Sequence, residues 1–567
     1  MLDQFQQDLR PVSDSLALSA LCGALPLITL FVLLGGLRLK AWVAGLASLA
    51  VALVVAVVLF EMPAGQAVLA GTEGAAFGFF PILWIVINAI WVYNLTVESG
   101  HFDVLRRSFE KVSPDQRVQA VIIAFCFGAL LEALAGFGTP VAITVVMLMA
   151  LGFEPVKAAV VALVANTAPV AFGALATPIV TLGTVTSGAG DDPRLNTETL
   201  GAMVGRQTPL LAVVVPLILV FIVDGRRGLR NAWLPALVCG TVFAVAQFAA
   251  ANYISVPLTD IIASLAAAGA VVVLLRVWSP AEVLAAEAPE PAADRARVAS
   301  GAPGRPGGPA DGGAERSADS GADVARAYAP YLVIIAIFSV TNITWVKEHL
   351  AEEPFTKVFG WPGLDVLNTA GDPVATTDFT LNWLPAAGTL MILAGIITAA
   401  ILRVGPGAAV RAYGRTYVEL RSAIVTVMAV LALAYVMNLS GQTGSLGAWL
   451  AGAGSAFAIL SPILGWLGVA VTGSDTSANA LFGALQVQTA GQAGLDPVLM
   501  AGANSSGGVL GKMVSPQNLA IAAAAVGLAG KEGDIFRKVV GWSLALLALM
   551  CVIVWLQSTS VLGWMVP

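Results

Sequence analysis

The chain has 567 residues, of which 58% are hydrophobic and only 11% charged, with a formal net charge of −6. Soluble domains carry about 25% charged residues, so an ordinary water-soluble globule is excluded. A membrane β-barrel is excluded as well, because its strands are ~10 residues long and alternate in polarity, whereas here long unbroken apolar runs recur from end to end. The expected fold class is therefore all-α, a polytopic integral membrane protein.

The N-terminal stretch MLDQFQQDLRPVSD lacks the basic segment of a cleaved signal, so the run after it reads as a retained first span. Apolar runs follow near 15–36, 41–60, 75–97, 118–135, 139–152, 157–183, 206–223, 232–252, 258–276, 329–346, 384–402, 420–438, 446–470, 476–489, 498–525 and 538–560. Runs 139–152 and 476–489 are short for a bilayer core that needs about 20 residues per helix, and they read as re-entrant hairpin arms. Depending on how those arms are treated, about 12–16 membrane segments are expected.

Between the runs, residues 279–327 are rich in Ala, Gly, Pro and mixed charge. They read as a disordered cytoplasmic linker between an N-terminal membrane half, 1–278, and a C-terminal half, 328–567. Segment 347–382 carries Gly, Pro and aromatics and reads as an ordered outer cap. Cys22, Cys126, Cys239 and Cys551 all lie in apolar runs without a CxxC pair, and His101 and His349 fall in loops. With no HExxH-type cluster, neither a metal site nor a cofactor is expected, and a membrane-embedded enzyme lacks a nucleophile or metal centre.

Lys and Arg set the orientation. With the N-terminus outside, 23 of the 29 Lys and Arg fall in cytoplasmic segments and Lys512 falls inside the membrane. The basic residues follow the orientation rule and do not form a nucleic-acid surface.

Two stretches break the apolar pattern and match each other. Residues 136–178 run from GFGTPVAI to ANTAPVAFGALATP, and residues 473–516 run from GSDTSANA to ANSSGGVLGKMVSP. A constant offset superposes Ala165, Asn166, Thr167, Gly173, Thr177 and Pro178 on Ala503, Asn504, Ser505, Gly511, Ser515 and Pro516. Charge counting alone gives repeat 1 (about 118–183) and repeat 2 (about 446–525) opposite directions across the membrane. Paired broken segments in inverted repeats point to a transporter binding site.

The strings ALLEALAGFGTPVAI, ANTAPVAFGA, GWLGVAVTGSDTSANALFGALQ and ANSSGGVLGKMVSPQNLAIA closely resemble signature stretches of the bacterial lactate permease family, and GLRLK, DQR and MVGRQTPLL fit as well. The resemblance spans nearly the whole chain apart from the linker and the outer segment. It implies proton-coupled symport of lactate and glycolate across the inner membrane. Na⁺-coupled transport of another small carboxylate is the alternative, since unwound Asn/Ser/Thr backbone suits that ion.

The residues agree in outline. A small monocarboxylate needs one compensating charge and several donors. Lys512 supplies the charge; Asn166, Thr167, Asn504, Ser505 and Ser506, with Thr139 and Thr476 at the breaks, supply the hydrogen bonds. Breaks at Asn166–Pro169 and Asn504–Gly508 would aim backbone N–H groups into the cavity. Glu132 and Asp475 are the proton-coupling candidates. Other roles stay open for these residues: a structural ion pair of Lys512 with Asp475 or Glu132, helix capping by Asp475, and water contact for Glu132. Gly136, Gly138, Pro140, Pro169, Gly473, Gly507, Gly508 and Gly511 would permit turns, hinges or close helix approach. Glu61, Asp224 and Asp260 sit at span boundaries and read as interfacial.

Overall fold

The computed structural model describes residues 4–136, 138–190, 192–284, 320–528 and 530–567. It is almost entirely helical, as backbone groups facing hydrocarbon require, since only a helix or a closed barrel satisfies them there. Among the described residues, ten helices are long and apolar enough to cross a membrane, eleven when the bent pair Pro155–Ala165 and Val170–Thr186 is one span. Thr139–Ala150 and Ala387–Ile401 are shorter apolar helices. The expected number was higher partly because neighbouring runs merge. Runs 206–223 and 232–252 form one kinked helix, which turns at Asp224 and Gly225. Gly240 then packs on the backbone of Ala212, so the two arms lie side by side.

One end of the molecule carries a cap. Phe5–Gln6 pairs in parallel with Val366–Leu367, and Lys357–Gly360 pairs antiparallel with Asp378–Leu381. Phe379 anchors this cap, with its ring centroid 4.5 Å from that of Phe77. The expected ordered outer segment is thus a small β-structure clamped to the N-terminal strand. Of the expected linker 279–327, residues 285–319 lie outside the described residues. Its flanks are ordered: Leu284 bonds through its backbone to Gln116, and helix Gly321–Thr341 has already begun by residue 321.

At the other end, Arg117 is fully buried and holds Asp115 (2.6 Å) and Asp224 (3.1 Å). Asp224 is therefore an ion-pair partner at the kink rather than a simple interfacial residue. From this base the chain rises through Gln116–Leu134, turns, and descends through Thr139–Ala150. The Gln116 side-chain amide donates to the Leu151 carbonyl at 3.0 Å, so the hairpin starts and ends at the same level. A broken helix follows: Pro155–Ala165 begins at that same end, where Lys157 donates to the Val223 carbonyl, and Gly173–Thr186 continues toward the cap. There, a Cβ on Gly188 would meet Ala375.

The second matching stretch starts from the cap end. Helices Phe457–Thr472 and Asp475–Ala493 form a hairpin in which Gln486 donates to the Ser461 carbonyl at 3.1 Å. The next helix, Pro497–Gly511, is capped by Asp496, whose carboxylate also takes Arg194 at 2.8 Å from the loop beyond the first broken helix. It gives way to a 3-10 turn at Lys512–Val514 and continues as Pro516–Ala525. The two broken helices therefore run in opposite senses.

Buried apolar side chains fall into two clusters. One gathers the first hairpin, both broken helices and the helices around them. The other gathers helices 16–31, 41–58, 64–77 and 406–439 with part of the second hairpin. Large apolar side chains such as Leu21, Val54, Val58, Val245, Val273 and Leu332 are exposed on the outside, the surface a bilayer would cover.

Candidate functional site

The two hairpin tips both approach Asn518: a Cβ on Gly138 would stand 3.5 Å from its Oδ1, and its amide reaches the Gly473 carbonyl. Gly136 and Gly138 take φ of +47° and +85°, and Gly473 takes +75°, values that L side chains adopt only at a cost. The second tip is tied to the second broken helix by Asn518, which donates to the Gly473 carbonyl at 3.4 Å and to Ser515 Oγ at 2.8 Å. Pro140 stands in the first turn of Thr139–Ala150, where its missing N–H costs nothing. Pro169 stands in the break of the first broken helix, just before the turn Val170–Phe172.

A cavity of about 1160 Å³ opens beside these tips. Glu132, Gly173, Thr177, Asp475 and Lys512 line its depth, and Arg38, Lys40, Glu419 and Glu532 line its mouth. It lies along the seam between the two apolar clusters, with Ile90 and Leu420 from one and Val170 and Leu519 from the other. The helices beginning at Thr139, Asp475 and Pro516 all present first-turn residues to it. Three positive dipole ends thus face one space, an arrangement suited to an anion.

At its centre Lys512 Nζ donates to Glu132 Oε1 at 2.6 Å, with both side chains buried. Asn166 donates to the other carboxylate oxygen at 2.9 Å. Gly173 makes room for this pair, because a Cβ there would stand 2.9 Å from Glu132 Oε1. Immediately after it, Ala174, Leu175 and Ala176 all adopt left-handed φ/ψ. Such a turn costs roughly 1–2 kcal/mol per residue. Consecutive strained residues mark a place where the surrounding fold imposes a geometry.

Asp475 opens the second hairpin's returning helix, but Ser474 caps that helix by accepting from the Ser477 N–H. Asp475 is therefore free of the capping role. Its Oδ2 accepts from Ser505 at 2.6 Å, and its buried Oδ1 has no partner among the described residues. Gly508 leaves space beside that oxygen.

The remaining expected residues divide. Thr139 and Thr476 line the cavity. Asn504 and Ser505 give their polar atoms to the protein: Asn504 donates to Asn479 at 2.9 Å and accepts from Gln486 at 3.0 Å. Thr167 donates back to the Val164 carbonyl at 2.7 Å. Ser506 Oγ and Asn166 Oδ1 are buried without a partner among the described residues.

The break expected at Asn504–Gly508 is absent: the helix runs on to Gly511, and the interruption falls at Lys512–Ser515. Gly507 and Gly511 let helix Phe457–Thr472 come close, since a Cβ at either would strike the backbone of Pro462 or Trp466. Glycine here serves contact, not bending, and the helix is continuous through NSSGG.

Asp260 also departs from expectation. It is fully buried rather than interfacial, and Gln247 donates to it at 3.0 Å. Glu73 went unsingled from sequence. It is fully buried beneath the cap, and neither carboxylate oxygen has a partner among the described residues. Its signal was a lone acid just before the apolar run 75–97. Asn479 was findable too, one helical turn after Asp475 and so on the same face. Among the described residues, no cluster of three His, Cys, Asp or Glu could hold a metal ion.

A family model described as L-lactate permease matches residues 19–561. The L-lactate permease of Bacillus subtilis (strain 168) is 40% identical over 582 residues, covering 100% of both chains. That of Escherichia coli (strain K12) is 39% identical over 578 residues, again covering 100% of both. The glycolate permease GlcA of the same strain is 41% identical over 561 residues, covering 97% of this chain and 98% of the relative.

Proposed function

The chain belongs to the L-lactate permease family, and we propose that it carries lactate and glycolate across the cytoplasmic membrane, each anion with one proton. As a permease it is a multi-pass membrane transporter and not an enzyme.

The observation that carries the coupling is the Lys512–Glu132 pair inside the cavity. In the empty carrier the ammonium is occupied by Glu132. A substrate carboxylate entering beside it adds a second negative charge to a poorly hydrated site, where an uncompensated ion costs several kcal/mol. A proton on Glu132 removes that cost and frees the ammonium for the substrate. Proton and anion therefore favour each other's binding, and the loaded carrier has the same net charge as the empty one. Protonating Asp475 releases no cation. Its unpartnered Oδ1 suits a hydrogen bond from the substrate's 2-hydroxyl, which an unsubstituted acid lacks.

The two oppositely directed hairpin and broken-helix units support an inverted repeat, and the seam between the clusters supports movement of one body against the other. The mouth bears Arg38 and Lys40, and the buried Arg117 base lies at the same end. By the positive-inside rule this is the cytoplasmic end, and the capped end with the N-terminus is outside. The state described here is thus inward-open.

The test is proton movement induced by lactate, glycolate, pyruvate or succinate in proteoliposomes without Na⁺. External alkalinisation with lactate and glycolate is expected. Uptake that requires Na⁺ and moves no protons would transfer the coupling to that ion. No response to any of the four would remove the substrate assignment.

A further inference from the structure

A buried polar line runs from the break of the first broken helix, at Ala168 two residues past Asn166, away from the cavity mouth. Asp260 Oδ1 accepts from the Gln247 amide at 3.0 Å, and that amide also reaches the Ala168 carbonyl, at 3.4 Å, inside the break of the first broken helix. Gln247 in turn accepts from Thr208 Oγ1 at 3.2 Å. The neighbouring Gln207 donates to Gln557 at 2.9 Å, and Arg206 reaches the Met565 carbonyl at 2.9 Å. Asp260, Gln247, Thr208 and Gln207 are fully buried, Gln557 is nearly so, and none of the five lines the cavity.

Asp260 Oδ2 has no partner among the described residues. Helix Thr259–Leu274, which carries Asp260, packs against helix Gly128–Leu134, which carries Glu132. Glu132 is the acid facing Asp260 from helix Gly128–Leu134. Helix Gly173–Thr186 and the turn Val256–Leu258 bring no charged side chain, and segment Ala250–Ile254 brings only Tyr253 as a titratable group. Segment Ala120–Phe127 brings Cys126. The charges of the kinked helix Thr208–Ala249, Asp224, Arg226, Arg227 and Arg230, sit at its turn, at the opposite end from Gln247. Lys512 is already held by Glu132.

We propose that Asp260 is a second proton-binding carboxyl, which passes its proton to Glu132 across the Ala168–Gly173 break and is reloaded from the capped side. In the step, the O–H bond at Asp260 breaks and one forms on the Glu132 carboxylate. Asp260 is left as the carboxylate facing Gln247, and the charge of the pair is unchanged. Glu132 is thereby switched to the form that releases Lys512 without a proton having to enter through the cavity mouth. Intramembrane carboxyl chains commonly serve such relays.

This inference rests on the proton-coupled reading, and the wild-type control separates the two. If wild-type vesicles show no proton movement with lactate, the coupling reading falls and the relay with it. Given wild-type coupling, Asp260→Asn keeps the bond from Gln247 but cannot carry a proton. Uptake driven by a pH gradient is then expected to fall at least roughly tenfold, with lactate counterflow (exchange without net proton transfer) within about twofold of wild type. Asp260→Glu should recover gradient-driven uptake. Wild-type gradient-driven uptake in Asp260→Asn would overturn the proposal. So would equal loss of uptake and counterflow in both variants while the purified protein stays monodisperse, since that marks a purely structural residue.

Discussion

Glu132 Oε1 and Lys512 Nζ stand 2.6 Å apart although 380 positions separate them in the chain. Each comes from a different half of the chain. The acid lies on the rising arm of the first hairpin, and the base lies where the second broken helix is interrupted. On the proposed reading, the pair is where a buried cation exchanges a protein carboxylate for an incoming one.

Removing one member leaves the other buried and unpaired, which costs roughly 3–5 kcal/mol. Lys512→Met should therefore lower thermal stability in detergent strongly, and adding Glu132→Gln should recover most of the loss without restoring transport. A double variant as unstable as Lys512→Met alone would show that the pair is not what the single substitution disturbs.

Gly173 is expected to be intolerant for a local reason. An alanine Cβ would press on Glu132 Oε1 at 2.9 Å, closer than real Cβ contacts come. Gly173→Ala should abolish lactate uptake at near-normal expression. Gly269→Ala, where a Cβ meets nothing within 4 Å, should transport as wild type. Normal uptake by Gly173→Ala would mean the carboxylate is free to move aside.

Asp475→Asn tests the hydroxyl assignment. A hydrogen bond to a charged group contributes about 1.5–3 kcal/mol, so KM for lactate and glycolate should rise at least roughly tenfold. KM for propionate, which has no 2-hydroxyl, should change little, and protons should still accompany uptake. Loss of proton coupling with an unchanged KM would exchange the roles of Asp475 and Glu132.

Much of the site was legible because charge is anomalous in an apolar run. Glu132, Asp475 and Lys512 announce themselves in this way, and GFGTP and GSDTS mark the tips through residues that favour turns. Pairing was legible only as an alternative, an ion pair of Lys512 with Asp475 or Glu132, and the structure selects Glu132, since no local rule chooses between partners so far apart. The continuity of helix Pro497–Gly511 was not legible. Its glycines each disfavour helix by about 1 kcal/mol, yet the close approach that Gly507 and Gly511 give to Pro462 and Trp466 outweighs that. Ala174–Ala176 has no left-handed propensity at all, so its turn is a tertiary effect. Asp260 reads as interfacial by its place at a span boundary, but helix Thr208–Ala249 and segment Ala250–Leu258 fold over it and bury it.

On the capped side, Arg194 joins Asp192 at 2.6 Å and Asp496 at 2.8 Å. The guanidinium holds the Asp192 carboxyl below its usual range. Stability from that shift is present above the unfolded carboxyl value of about 3.9 and is lost as pH falls through the lower folded value. Arg194 is 40% exposed, so solvent screening limits the pair to about 0.2–1 kcal/mol. Arg194→Ala should lower the melting temperature slightly at neutral pH, less in high salt, and not at all near pH 2. An equal loss at every pH would attribute the effect to packing.

The central claim is that Glu132 must take a proton before Lys512 can hold the substrate. Its most direct test is Glu132→Gln in proteoliposomes, with pH-gradient-driven lactate uptake and lactate counterflow measured on the same preparation. The glutamine mimics the protonated acid, so counterflow should persist while accumulation driven by the gradient disappears. Accumulation at the wild-type level, with one proton still moving per lactate, would contradict the account.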